Sequence, residues 1–138
     1  MKNIIKKLVT QNRLCPADVI VAKKKSGVGR IFYHYIVYAG NNLFIGNLKG
    51  NVKWLSTMEL LDLLKDYEPV RIRRFNGSLP QRKQALKRAY SRLGDKYSLP
   101  VFNCEHFANW VQKGKESSAQ VNIAISLIAL GLVYKFSK

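Results

Sequence analysis

Blocks of apolar and polar positions along this chain predict short strands interleaved with short helices. Asp18 to Lys23 reads as a first strand, and Lys24-Lys25-Ser26-Gly27-Val28-Gly29-Arg30 as a charged, glycine-containing loop. The run Ile31-Phe32-Tyr33-His34-Tyr35-Ile36-Val37-Tyr38 is β-branched and aromatic without alternation. That is the pattern of a strand buried on both faces, and Ala39-Gly40-Asn41-Asn42 closes it with a turn. Leu43-Phe44-Ile45 returns as the second arm of a hairpin, and Val52-Lys53-Trp54-Leu55 as a third short strand. Between them, Gly46-Asn47-Leu48-Lys49-Gly50-Asn51 has turn composition. Ser56-Thr57-Met58-Glu59 is a capping box that opens a helix through about Lys65. Pro69 to Phe75 alternates Val70 and Ile72 with Arg71 and Arg73, a strand with one wet face.

Asn76-Gly77 breaks the pattern, and a helix is expected from about Pro80 to Leu93, stopped by Gly94. Its apolar stripe is Leu86, Ala89, Tyr90 and Leu93. Phe107, Trp110 and Val111 fall at helical spacing, so a last helix is predicted from near Asn103, with Asn103 as its N-cap. The expected fold class is α+β, a small and mostly antiparallel sheet packed with helices.

Composition narrows the class. At 138 residues and 47% hydrophobic, the chain has the length and apolar content for one packed domain. Its two cysteines are far apart in sequence and form no disulfide framework. No Cys-x-x-Cys or His-x-x-His spacing suggests a metal. Met1 to Thr10 holds no uninterrupted apolar stretch of the secretory kind, so a reducing, cytoplasmic setting is expected.

The candidate chemistry centres on Asn103-Cys104-Glu105-His106-Phe107. A thiol in the first turn of a helix faces unpaired N–H groups and the positive end of the dipole, and both favour thiolate. The alternative is a small buried hydrophobe. Only two histidines could serve such a thiol as base. His106, two positions along the helix, turns away from Cys104. His34 sits on a strand, from which it can face a helix across a layer.

These residues resemble the lecithin:retinol acyltransferase-like family, with its small phospholipase/acyltransferases and picornaviral H-box/NC proteins. The resemblance runs from Pro16-Ala17-Asp18-Val19-Ile20 through the H-box His34-Tyr35-Ile36-Val37-Tyr38-Ala39-Gly40. It continues to Tyr97-Ser98-Leu99 and the NCEHF pentapeptide, Asn103 to Phe107. It implies a permuted papain-like, NlpC-related arrangement, with the histidine strand before the cysteine helix. It implies Cys104 as an acyl-accepting nucleophile and His34 as its general base, without cofactor or metal. The family's second histidine would fall at Gly46, with Asn47 beside it. Asn47 is the candidate orienting residue if a bulge shifts the register; otherwise it is a turn residue.

A net charge of +16, with only eight acidic residues, adds a polyanion-seeking field. Lys23, Lys24, Lys25, Arg71, Arg73 and Arg74 are the candidate contacts to an anionic surface. Anionic membrane fits better than nucleic acid, because aromatics are not interleaved with the basic positions. The uncharged segment Val121 to Tyr134 is shorter than the roughly 20 residues a full span needs. By resemblance, 1–118 is the catalytic-type domain and 119–138 a membrane-anchoring tail; the other reading is a last core helix.

The expected activity is thiol acyl transfer or hydrolysis on glycerophospholipids, with a phospholipid as acyl donor. The alternative is an inactive H-box/NC module that binds host membrane, protein or RNA. A cell-wall peptidase of the NlpC type is a third, weaker expectation.

Overall fold

The structure is a computed structural model; it describes residues 2–26, 33–48, 50–95 and 100–115, without the side chains of 2–3 and 100–104. Four helices and five strands follow in the order α1 (Lys2–Gln11), β1 (Val19–Lys24), β2 (Tyr33–Gly40), β3 (Leu43–Leu48), β4 (Asn51–Leu55), α2 (Thr57–Asp66), β5 (Tyr67–Arg73), α3 (Leu79–Ser91) and α4 (Pro100–Lys113). The strands form one antiparallel sheet in the order β4-β3-β2-β1-β5. The fold is therefore α+β, as the patterning implied.

Local chemistry explains most of the boundaries. Asn41 and Asn42 both take positive φ, 53° and 61°, the geometry of a two-residue turn that matches strand twist. Ser56 caps α2 and Ser78 caps α3, each in a reciprocal capping box, with Glu59 and Gln81 respectively. Gly94 leaves α3 at φ 90° and donates its N–H to the Val52 carbonyl at 2.9 Å, which ties the helix exit to β4.

Two cores lie on opposite faces of the sheet. Tyr35 and Val37 of β2, with Ile45 and Val52, pack against Ala85 and Ala89 of α3 and Phe107, Ala108 and Val111 of α4. Ile36 and Tyr38, with Ile20, Phe44 and Leu55, pack against Ile5 of α1 and Leu60 of α2. The period of two in β2 thus splits its side chains between two helical layers.

Several expectations change. α1 was not foreseen; Ile5, Leu8 and Val9 anchor it to the second core. β3 runs through Leu48, so Asn47 is a strand residue, 1% exposed, rather than a turn residue. The turn falls later, where Gly50 takes φ 83°. Tyr90 does not join the α3 stripe: it is 42% exposed and packs its ring on Trp54, with centroids 5.7 Å apart. The buried positions of α3 are Ala85 and Ala89. α4 begins at Pro100, not near Asn103. Proline is pre-organised for the first helical position, where its missing N–H costs nothing. Asn103 therefore lies inside the helix, and Cys104 falls just past the first four orphan N–H positions.

Candidate functional site

The NCEHF pentapeptide and the H-box meet in the fold. α4 packs along the face of β2 that carries Tyr35 and Val37. There the Tyr35 hydroxyl donates to Glu105 Oε2 at 2.7 Å, joining the two motifs across 70 positions. Both residues are buried, at 2% and 7% exposed. Burial pushes the Tyr35 phenol up, and the bond to Glu105 and its charge push it further. The Arg73 guanidinium lies 5.7 Å above the Tyr35 ring.

His34 points the other way. By the strand period it shares the face of Ile36 and Tyr38, the side covered by α1 and α2. Its ring packs at a 40° tilt on Tyr67, with centroids 5.3 Å apart. Burial alone pushes its pKa down to about 4, so the imidazole is neutral at pH 7.

Asn47 stands on α4's side. The pairs Ile36↔Gly46 and Val37↔Ile45 place it level with Tyr35, and its β4 partner is Val52 of the α3/α4 core. The one irregularity between β2 and β3 lies at Tyr38/Gly40, so pairing is regular from Tyr38 back to Ile36. The register does not bring the Asn47 and His34 side chains together. The predicted contact of Cys104 with His34 lies outside the described residues, because the thiol's position is not described. His106 is half-buried on α4.

Many of the basic residues do structural work that composition could not reveal. Asp18, 1% exposed, accepts N–H bonds from Cys15 and Phe75 at 2.9 Å. It also forms ion pairs with Arg74 and Arg82, each at 3.1 Å. Burial raises its pKa, but those four bonds outweigh it, and the carboxyl ends below its ordinary value.

Arg74 also donates to the Arg13 carbonyl at 2.8 Å and to the Asn12 carbonyl. Arg82 donates to the carbonyls of Pro16 at 2.6 Å and Phe75 at 3.1 Å. Arg88 donates to the carbonyls of Trp110 and Val111 near the end of α4. Arg92 lies 4.6 Å over the Trp110 ring and pairs with Asp95. Of the expected anionic-surface residues, Lys25 donates to the Leu64 carbonyl at 3.2 Å, while Arg71 is exposed and Lys23 and Lys24 are half-buried on β1. Among the described residues, Arg74, Arg82 and Arg88 thus clamp backbone carbonyls, and Arg74, Arg82 and Arg92 pair with carboxylates.

Among the described residues no cluster of three or more His, Cys, Asp or Glu side chains is arranged to hold a metal, and no helix is long and apolar enough to cross a membrane. The predicted tail, 119–138, lies outside the described residues. Comparison with protein-family models and with curated proteins finds no match for this chain.

Proposed function

We propose that this chain is an H-box/NC-type domain, permuted papain-like in arrangement, that performs thiol acyl transfer on glycerophospholipids through Cys104. The observation that carries the reading is the buried Tyr35–Glu105 bond: it docks the cysteine helix on the strand that bears His34. In this reading the Cys104 thiolate attacks the ester carbonyl of a phospholipid. The ester C–O bond breaks, the departing alkoxide takes the proton given up when the thiol ionised and leaves as a lysophospholipid alcohol, and an acyl-Cys104 thioester remains. Water, or an amine or hydroxyl acceptor, then resolves the thioester. The excess of lysine and arginine over acidic residues draws the domain to anionic membrane, in a cytoplasmic setting.

The placement of His34 favours a second reading. A general base must come within hydrogen-bond reach of the proton it removes. His34 faces the layer opposite α4 and is held neutral by burial, while Asn47 faces α4. Both features suit an H-box/NC module that binds membrane through its basic surface without turnover. Intact mass after incubation with phosphatidylcholine vesicles separates the two: acyl transfer adds one fatty-acyl mass, lost in Cys104→Ala, and the binding module adds none.

A further inference from the structure

At the corner where β5 leaves the sheet and α4 ends, a cavity of about 360 Å³ is lined by Arg73, Arg74, Phe75, Asn76, Gln112 and Lys113. Three of the six are cations and none is a carboxylate. Both guanidiniums are held in place by hydrogen bonds. Arg73 Nε donates to Gln112 Oε1 at 2.5 Å, and the Gln112 amide N–H groups bond the carbonyls of Ala17 and Arg73, both at 2.9 Å. Arg74 is fixed by Asp18 and the carbonyls of Asn12 and Arg13.

Cations outnumber carboxylates at this corner, where Glu105 acts on Arg73 and Asp18 bonds Arg74. Asp18 is the nearest carboxylate to Arg74, and it is shared with Arg82. Arg73 is half-buried, with Nη2 fully enclosed and no acceptor for it among the described residues. Burial lowers the Arg73 pKa, Tyr35 and Glu105 partly offset this, and Arg71 adds to it. Pre-organised guanidiniums beside a flexible lysine suit a tetrahedral dianion, which offers several acceptor oxygens to fork-shaped donors.

We propose that this cavity binds a phosphate monoester, and that it does so independently of any chemistry at Cys104. The volume admits a phosphoryl group with a small polar substituent. Two sources share that chemistry: a soluble phosphate ester and a monoester lipid headgroup.

The test titrates the full chain with glycerol 3-phosphate at constant ionic strength and follows the Arg73 and Arg74 Nε–H resonances. The site predicts saturable shifts of both signals. It also predicts about tenfold weaker binding in Lys113→Gln, the effect of one lost charge-assisted bond. Lys83→Gln and Lys87→Gln, on exposed positions of α3, should leave that affinity unchanged. Lys113 is an exposed side chain, so its loss leaves the fold intact.

Vesicles of phosphatidylcholine with phosphatidic acid, set against phosphatidylserine at matched charge, distinguish the source. If phosphatidic acid vesicles displace glycerol 3-phosphate, the lipid headgroup is the ligand; if they do not while glycerol 3-phosphate saturates, the soluble ester is. Unmoved Arg73 and Arg74 signals at high glycerol 3-phosphate would overturn the proposal. So would equal weakening by the α3 and Lys113 variants, since the field would then be diffuse.

Discussion

Replacing Asp18 with asparagine should destabilise the fold more than any other single polar change among the described residues. The carboxylate is 1% exposed and accepts from two backbone N–H groups and two guanidiniums, which come from the loop after α1, the residues just past β5, and α3. Asparagine keeps one acceptor oxygen and turns an N–H₂ toward donors. Arg82, with a side chain 18% exposed, loses its counter-charge in a largely desolvated site. Arg74 is 46% exposed, so water screens most of its loss. Breaking one partly buried pair costs about 3 kcal/mol, and the mismatched backbone donors add roughly 1 kcal/mol, for a total near 4 kcal/mol.

Against a typical 5–15 kcal/mol of domain stability, that is a large share. Urea unfolding should show the midpoint falling with the slope unchanged. The wild type should also carry an acid dependence that the variant lacks. The folded pKa of Asp18 is below its ordinary 3.8, so its contribution is complete above that value and is lost as pH falls through the folded pKa. A loss under about 1 kcal/mol, or an unchanged acid limb, would refute the argument that Asp18 fastens these three elements together.

Three further outcomes follow from the geometry. Tyr35→Phe removes the hydroxyl bound to buried Glu105 and should cost about 2 kcal/mol by chemical denaturation, while Glu105→Gln in the Tyr35→Phe background should cost less than it does alone. His34 should titrate near pH 4 by NMR; because the unfolded histidine takes up its proton near 6.5, stability should fall as pH drops from 6.5 toward 4, by on the order of 3 kcal/mol, and His34→Gln should flatten that slope. Gly94→Ala should cost about 1 kcal/mol through backbone conformation alone, since φ is 90° and a Cβ there meets nothing within 4 Å; thermal unfolding reads it directly.

Elements whose signals are local were legible in the sequence. The run around His34, the Asn41-Asn42 turn, the Ser56 capping box and the Gly94 stop each encode their structure within a few residues. α1 was not legible because its apolar stripe is short, only Ile5, Leu8 and Val9 interrupted by Lys6 and Lys7, and it gains its meaning from packing on the distant second core. The reach of β3 was missed because Gly46 and Asn47 look like a turn, whereas ladder bonds to β2 and β4 carry the strand through them. Which face a strand residue takes is set by register against distant partners, so the separation of His34 from Asn47 is not written in either motif. The excess of arginine looked like a binding surface. Many of these guanidiniums instead serve backbone carbonyls at loop and helix ends, a role that only tertiary contacts define.

The central claim is an acyl-Cys104 intermediate, and intact-mass analysis of the full chain after incubation with phosphatidylcholine vesicles tests it most directly. The account predicts one fatty-acyl mass increment, removed by hydroxylamine and absent in Cys104→Ala. An unmodified mass in a folded, vesicle-bound protein would contradict it and favour the membrane-binding reading.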